Sequence, residues 1–168
     1  MAVRTVITWG DPRLKINSAD VGEWTPELER LVEDLFETGI EEEGVGIAAP
    51  QVGVNLNIAV IDPSSGEDPA QKHVLINPEI IRVEGSQVGQ EGCLSIPGIH
   101  EVLERPKTVW VRNRRRDGTW EELVGEDLLA RAFCHEIDHL RGRLFVDYFG
   151  PVKRQILQRR YQKMRSER

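Results

Sequence analysis

Two histidines four positions apart, His135 and His139, with Glu136 beside the first, are the residues whose types and spacing best suit chemistry. On an α-helix, residues four apart lie ~40° apart around the axis and one turn along it, so both imidazoles can face one cation. Neutral imidazole is a good ligand for first-row divalent metals. Such a cation can lower the pKa of a water that it binds from ~15.7 to ~7, and a carboxylate at position 136 is placed to take the proton. The pentapeptide alone also describes a surface helix with two solvated histidines. Its setting weighs against that: Leu128, Leu129, Ala132, His135, Glu136 and His139 follow the i, i+3, i+4 rhythm of one buried face, with Arg131, Asp138 and Arg141 at its edges. Polar groups on an otherwise apolar face need a partner, and a metal is one.

Two imidazoles do not complete a site. Beyond His139 the chain has no histidine, and its carboxylates there are Asp147 and Glu167. The third ligand is therefore expected upstream, where Cys93, His73 and His100 are the candidates. Cys93 fits best, because a thiolate is a strong ligand for Zn²⁺ or Fe²⁺ and Gly92 beside it permits close backbone approach. The competing reading of Cys93 is a small buried hydrophobe. Cys134 points about 100° away from His135 around the helix and reads as packing or as support for the ligands. Two cysteines without secretory context predict no disulfide.

These residues need elements to position them, and 168 residues suffice for one domain with a sizeable core. A single catalytic domain over residues 1–168 is expected. Thr25 as N-cap, Pro26 at the first helical position and the stripe Leu28, Leu31, Val32, Leu35 and Phe36 predict a helix to about Glu42. Glycine and proline break regularity across Gly44–Gly53, which lacks the Gly-Lys-Ser/Thr ending and the cations of a phosphate loop. Strands are expected near the start of residues 3–20, at Leu56–Ile61, His73–Asn77 and Ile80–Glu84, and in a hairpin of Thr108–Arg112 with Thr119–Val124 around Asp117-Gly118. The metal helix runs from about Glu126 to Leu140 and is capped by Gly142. Leu144–Val146 reads as a last short strand. Val152, Ile156, Leu157, Tyr161 and Met164 form one apolar stripe on a tail helix. The predicted class is α+β, with mostly antiparallel sheets packed around a central metal-binding helix and a C-terminal helix.

Charge is distributed unevenly. The net charge is −6, yet residues 151–168 hold Lys153, Arg154, Arg159, Arg160, Lys163, Arg165 and Arg168 against Glu167 alone, a local +6 that leaves −12 on residues 1–150. A basic tail on an acidic body suits either nucleic-acid contact or a solvated helix lying on its own acidic surface. The opening residues lack the basic and apolar regions of a signal peptide, and no apolar run of ~18 residues could span a bilayer. A soluble cytoplasmic protein without membrane association is expected.

Gly44–Gly53, Glu91–Ser95 and His135–Gly142 together resemble the three motifs of peptide deformylases, in the family's order and approximate spacing. The resemblance runs from about residue 5 to 150 and includes Asp11–Leu14. It departs at Cys134, where many members carry glutamine, and at His100, where some carry an arginine thought to contact the peptide. The resemblance implies removal of the formyl group from formyl-methionyl nascent peptides by a monomer with one divalent metal, Fe²⁺ in the cell, with Zn²⁺, Ni²⁺ or Co²⁺ able to occupy the site. Cys93, His135 and His139 would hold the metal with a fourth position open to water, and Glu136 would act as general base. The Gln51 side-chain amide and the Leu94 N–H would donate to the oxyanion. Val45, Leu128 and Ala132 are the candidates for the methionine pocket, while Gly46 and Gly92 suit an extended peptide docking along backbone. Glu91 is expected to pair with Arg105. The tail helix would contact the ribosome near the tunnel exit, and residues 153–168 would be dispensable for hydrolysis of a short peptide. Two other readings are a hydrolase for a different small N-acyl group or peptide bond, and a structural zinc module with an RNA-binding tail.

Overall fold

The computed structural model describes residues 2–167. Its helices are α1 (Pro26–Glu41), α2 (Leu128–Leu140) and α3 (Pro151–Ser166). Its strands are β1 (Gly46–Ala48), β2 (Ile58–Ile61), β3 (His73–Ile76), β4 (Glu79–Glu84), β5 (Gln87–Cys93), β6 (Ile96–Arg105), β7 (Thr108–Arg114) and β8 (Trp120–Glu126). They form three antiparallel sheets, β1-β2-β3, β4-β7-β8 and the hairpin β5-β6, around α2. This is the α+β arrangement that the sequence predicts.

Helix α2 is buried on nearly every side, so it is fixed by packing. Ala130, Phe133, Cys134 and Ile137 meet Ala48, Ala59, Ile61 and Leu75 from the first sheet and Val109 and Val111 from the second. The helix ends where Gly142 N–H donates to His139 O (3.1 Å) and Arg143 N–H to Asp138 O (2.9 Å), a paired closure that needs a left-handed residue at position 142. Gly142 supplies it at φ 73°, and a β-carbon there would collide with the backbone of Lys15. Helix α1 starts as the sequence predicts, with Thr25 Oγ1 accepting from Leu28 N–H. It buries Leu31, Val32 and Leu35 against Ile47, Ile58 and Val60.

Three local expectations are corrected. No strand forms near the start of residues 3–20; the extended segment before Gly10 makes isolated hydrogen bonds instead, from Ile7 N–H to Gln51 O and from Trp9 N–H to Ser95 O (both 2.8 Å). It is a strap joining two loops. Leu144–Val146 is not a strand either, because the Asp147 carboxylate accepts from the Leu144 N–H (2.9 Å) and closes a single 3₁₀ turn at Phe145–Tyr148. The third correction is the β5-β6 hairpin, which occupies residues between Glu84 and Thr108 where no strand is expected.

The tail helix is no separable appendage. Leu157 and Tyr161 are buried with Leu14, Ile96, Ile99, Leu103 and Phe145, and Met164 packs against the same cluster. Lys153 and Arg160 both pair with Glu101 on β6 (3.2 and 3.5 Å), so part of the basic tail lies on its own acidic body. Deleting residues 153–168 would strip apolar groups from a core, so the deletion would alter stability as well as any contact made by the tail. Leu157→Ala should by itself destabilise the fold by about 2–5 kcal/mol, the usual loss for a truncated buried leucine. A denaturant midpoint shift worth under ~1 kcal/mol would show the helix to be loosely attached. Among the described residues no helix is long and apolar enough to cross a membrane.

Candidate metal centre and active site

The side chains of Cys93, His135 and His139 converge, with one ligand atom from each within 4.8 Å of the others. His139 Nε2 lies 3.3 Å from Cys93 Sγ and 3.2 Å from His135 Nε2. Those separations are close to the ~3.3–3.6 Å edges of a tetrahedron built on Zn–N and Zn–S bonds of ~2.05 and ~2.3 Å. Helix α2 supplies both imidazoles from successive turns. The hairpin supplies the thiol at the end of β5, where the register shifts between Gly92 and Cys93.

A metal fits these residues on two further counts. Among the described residues Glu136 Oε1 is buried without a hydrogen-bond partner, and so is His139 Nδ1. A buried carboxylate oxygen left unpaired beside two imidazoles and a thiol is costly unless a cation or its water completes the site. Burial also holds the His139 imidazole far below its ordinary pKa, so it stays neutral as a ligand must. Burial raises Glu136 to about 7. A dication nearby would draw that value back down.

Support for the ligands comes from Glu91. Its Oε2 accepts from His135 Nδ1 (2.7 Å), which fixes the tautomer that turns Nε2 toward Cys93 and His139. Arg105 grips the same carboxylate through Nε (3.0 Å) and Nη2 (2.8 Å), as the sequence predicts, and reaches Asp138 Oδ2 with Nη1 (2.9 Å). Tyr148 Oη donates to the same Asp138 oxygen (2.8 Å). Burial alone would raise the Glu91 pKa, but the hydrogen bonds from His135 and Arg105 outweigh it and hold the carboxyl well below its usual range. The group stays charged.

Sequence reasoning placed Arg131 at an edge of α2 and Leu128 on the buried face; the structure reverses both. Arg131 is buried and donates Nη1 to Glu91 Oε1 (2.9 Å), whereas Leu128 is 51% exposed at the mouth of a cleft. Helix periodicity could not find this, because the signal lies in a carboxylate 40 residues upstream.

Gln51 sits in a 3₁₀ turn after β1, where its Oε1 accepts from the Ala48 N–H (2.9 Å). That bond turns the amide nitrogen toward Ser95 Oγ (3.1 Å) and Cys93 Sγ (3.7 Å). The strap through Ile7 and Trp9 ties this turn to the loop of Leu94 and Ser95. A cleft of about 510 Å³ opens beside the trio, lined among others by Val45, Gly46, Gly92, Cys93, Leu94, Leu128, Ala132, His135 and Glu136. Its walls are thin where glycines stand. A β-carbon on Gly46 would lie 2.8 Å from Glu136 Oε2, and one on Gly92 would lie 2.6 Å from the His100 ring. His100, on β6 opposite Gly92, lines the cleft, and His73 packs its ring edge-on to Phe133, away from the trio.

A family model described as Polypeptide deformylase matches residues 3–155. A peptide deformylase of Acidobacterium capsulatum is 48% identical over 164 residues, covering 98% of this chain and 96% of its own. The crystal structure of a peptide deformylase from Legionella pneumophila aligns with a TM-score of 0.92 at 38% identity, over 98% of this chain and 96% of that one. A peptide deformylase from Ehrlichia chaffeensis, solved in complex with actinonin, aligns with a TM-score of 0.88 at 33% identity, over 98% of both chains. Sequence and fold thus agree over nearly the whole chain, including the segments that carry the trio, and on that agreement the chain belongs to the polypeptide deformylase family.

Proposed function

We propose that this chain hydrolyses the formamide bond at the N-terminus of formyl-methionyl nascent peptides, using one divalent metal held by Cys93, His135 and His139. The observation that carries the reading is the convergence of that trio with the unpaired Glu136 oxygen on one side and the Gln51 amide on the other. The cation would supply acidity to a bound water and charge to balance a developing oxyanion. Glu136 takes the proton of the attacking water and returns it to the leaving amine. The Gln51 amide and the Leu94 N–H donate to the oxyanion, each such donor being typically worth ~3 kcal/mol. The peptide lies extended between the unpaired edges of β1 and β5, where Gly46 and Gly92 leave room for backbone, and Val45, Leu128 and Ala132 take the methionine side chain. A formyl carbon bears hydrogen where an acetyl carbon bears a methyl, so selectivity for formyl is steric. The test is formate release from formyl-Met-Ala-Ser, with acetyl-Met-Ala-Ser as control and metal content measured alongside. Stoichiometric metal without formate release would sink the reading.

Fe²⁺ is the proposed metal in the cell, supported by a thiolate and two imidazoles, a donor set that also suits Zn²⁺, Ni²⁺ and Co²⁺, and the cytoplasm, where nascent peptides are made, is the proposed location. Elemental analysis of anaerobically purified protein checks the metal. For the tail, ribosomal RNA is the proposed partner of the exposed face of α3, where Arg159 and Lys163 make no ion pair among the described residues. Because truncation would disturb the core, the proper variant is Arg159→Gln with Lys163→Gln. It should weaken ribosome co-sedimentation and flatten its salt dependence while leaving peptide hydrolysis unchanged. Unaltered co-sedimentation removes the tail from that role.

A further inference from the structure

Besides Glu136, α2 supplies the cleft wall with Leu128, Arg131, Ala132 and His135, at the i, i+3, i+4, i+7 positions of one face. Arg131 is the exception among them, neither apolar nor a candidate ligand. It is 8% exposed, and its guanidinium is pinned at both ends of the fork: Nη1 donates to Glu91 Oε1 on β5 (2.9 Å) and Nη2 to Leu103 O on β6 (3.1 Å). Gly89 on β5 provides its seat, since a β-carbon there would lie 3.2 Å from Nη2. The side chain thus spans from α2 to both strands of the hairpin and walls the cleft between Leu128 and Ala132.

We propose that Arg131 is a specificity-determining residue, setting the depth and polarity of the subsite that takes the first side chain of the peptide. The inference rests on the deformylase reading of the cleft. A guanidinium fixed to a carboxylate and a carbonyl has no freedom to swing aside, so it bounds the subsite as a rigid, charge-neutral wall. That suits an unbranched side chain of methionine's length. Truncating Arg131 does two things at once. It opens space at the wall, and it leaves Glu91 Oε1 with Arg105 Nε as its remaining guanidinium partner. A buried carboxylate that has lost a partner favours any cation that can reach it, and a lysine side chain on the substrate can enter the vacated space with its ammonium leading.

The experiment compares kcat/KM for formyl-Met-Ala-Ser, formyl-norvaline-Ala-Ser and formyl-Lys-Ala-Ser in the metal-loaded wild type, Arg131→Ala, Gly89→Ala and the double variant. Dissociation constants of the products Met-Ala-Ser and Lys-Ala-Ser are measured by calorimetry on the same samples. In Arg131→Ala the methionine-to-lysine ratio should fall at least ~100-fold, within the range that one well-fitted pocket contact commands, and the product affinities should shift in the same sense. Gly89→Ala, which crowds Nη2 by a few tenths of an ångström, should change the methionine-to-norvaline ratio several-fold. In the double variant that change should vanish, because its route through Arg131 is gone. A uniform loss across all three substrates, or a Gly89→Ala effect that persists without Arg131, overturns the proposal. If Arg131→Ala does not fold, Gly89→Ala still decides: an unchanged methionine-to-norvaline ratio there overturns it. A wild type that releases no formate refutes the deformylase reading instead, while the product affinities still report on the subsite.

Discussion

Glu136→Gln should lower kcat on a formyl-Met peptide at least ~10²–10⁴-fold, the usual worth of general acid–base catalysis, while metal content and peptide binding stay near wild type. Glutamine keeps the shape and hydrogen-bonding capacity of the side chain but cannot accept the water's proton. The loss should exceed that of a single proton transfer, because the same carboxylate returns the proton to the leaving amine. The surroundings of Glu136 support this role. The side chain is 3% exposed, one of its oxygens lacks a partner, and Gly46 keeps the space beside the other open. A carboxylate present only to hold the helix would be hydrogen-bonded, as Glu91 is to His135, Arg105 and Arg131. Retained metal with near-normal kcat would remove Glu136 from the mechanism.

The contrast between those two carboxylates explains what the sequence made legible. Periodicity marks α2 and places His135, Glu136 and His139 on one side of it, because a helix repeats over a distance that local spacing can report. The capping signals at Thr25-Pro26 and Gly142 are equally local, and both ends form where they stand. Arg131 was misplaced because its partner is not local. Its side chain follows Glu91 on β5 and Leu103 O on β6, and no pattern along α2 records either.

The β5-β6 hairpin was missed for a different reason. Gly89, Gly92 and Gly98 with Pro97 interrupt the apolar alternation that signals a strand, and Val88 and Val102 stand exposed. Those interruptions are where backbone and side chains must come close. Gly89 admits the Arg131 guanidinium, Gly92 admits the His100 ring, and Gly98 admits Met164 from α3. The features that hide the strand in the sequence are thus the ones that shape the cleft. The strap at Ile7 and Trp9 is invisible in the same way, since it is held by two backbone hydrogen bonds whose acceptors carry no side-chain signature.

Cys93→Ala should purify with little or no metal, and Cys134→Ala should retain a full equivalent. Both variants remove one sulfur, so the pair isolates position from chemistry. Cys93 Sγ lies 3.3 Å from His139 Nε2, and its loss would leave a cation with two imidazoles and no charge from the protein's ligand set. Cys134 belongs to the apolar cluster around Phe133 and Ile137, where burial raises its thiol to about 11. At neutral pH it is protonated, and a protonated thiol is not a ligand. Changing even a partner that only orients a ligand typically weakens metal binding ~10–100-fold, so losing the thiolate itself should exceed that. Cys134→Ala instead leaves a small cavity, and its effect should appear as lower thermal stability with normal metal content. Elemental analysis after gel filtration reads both. Equal metal loss in the two variants would mean that the sulfur of Cys93 holds no special place, and the trio would then have to be redrawn.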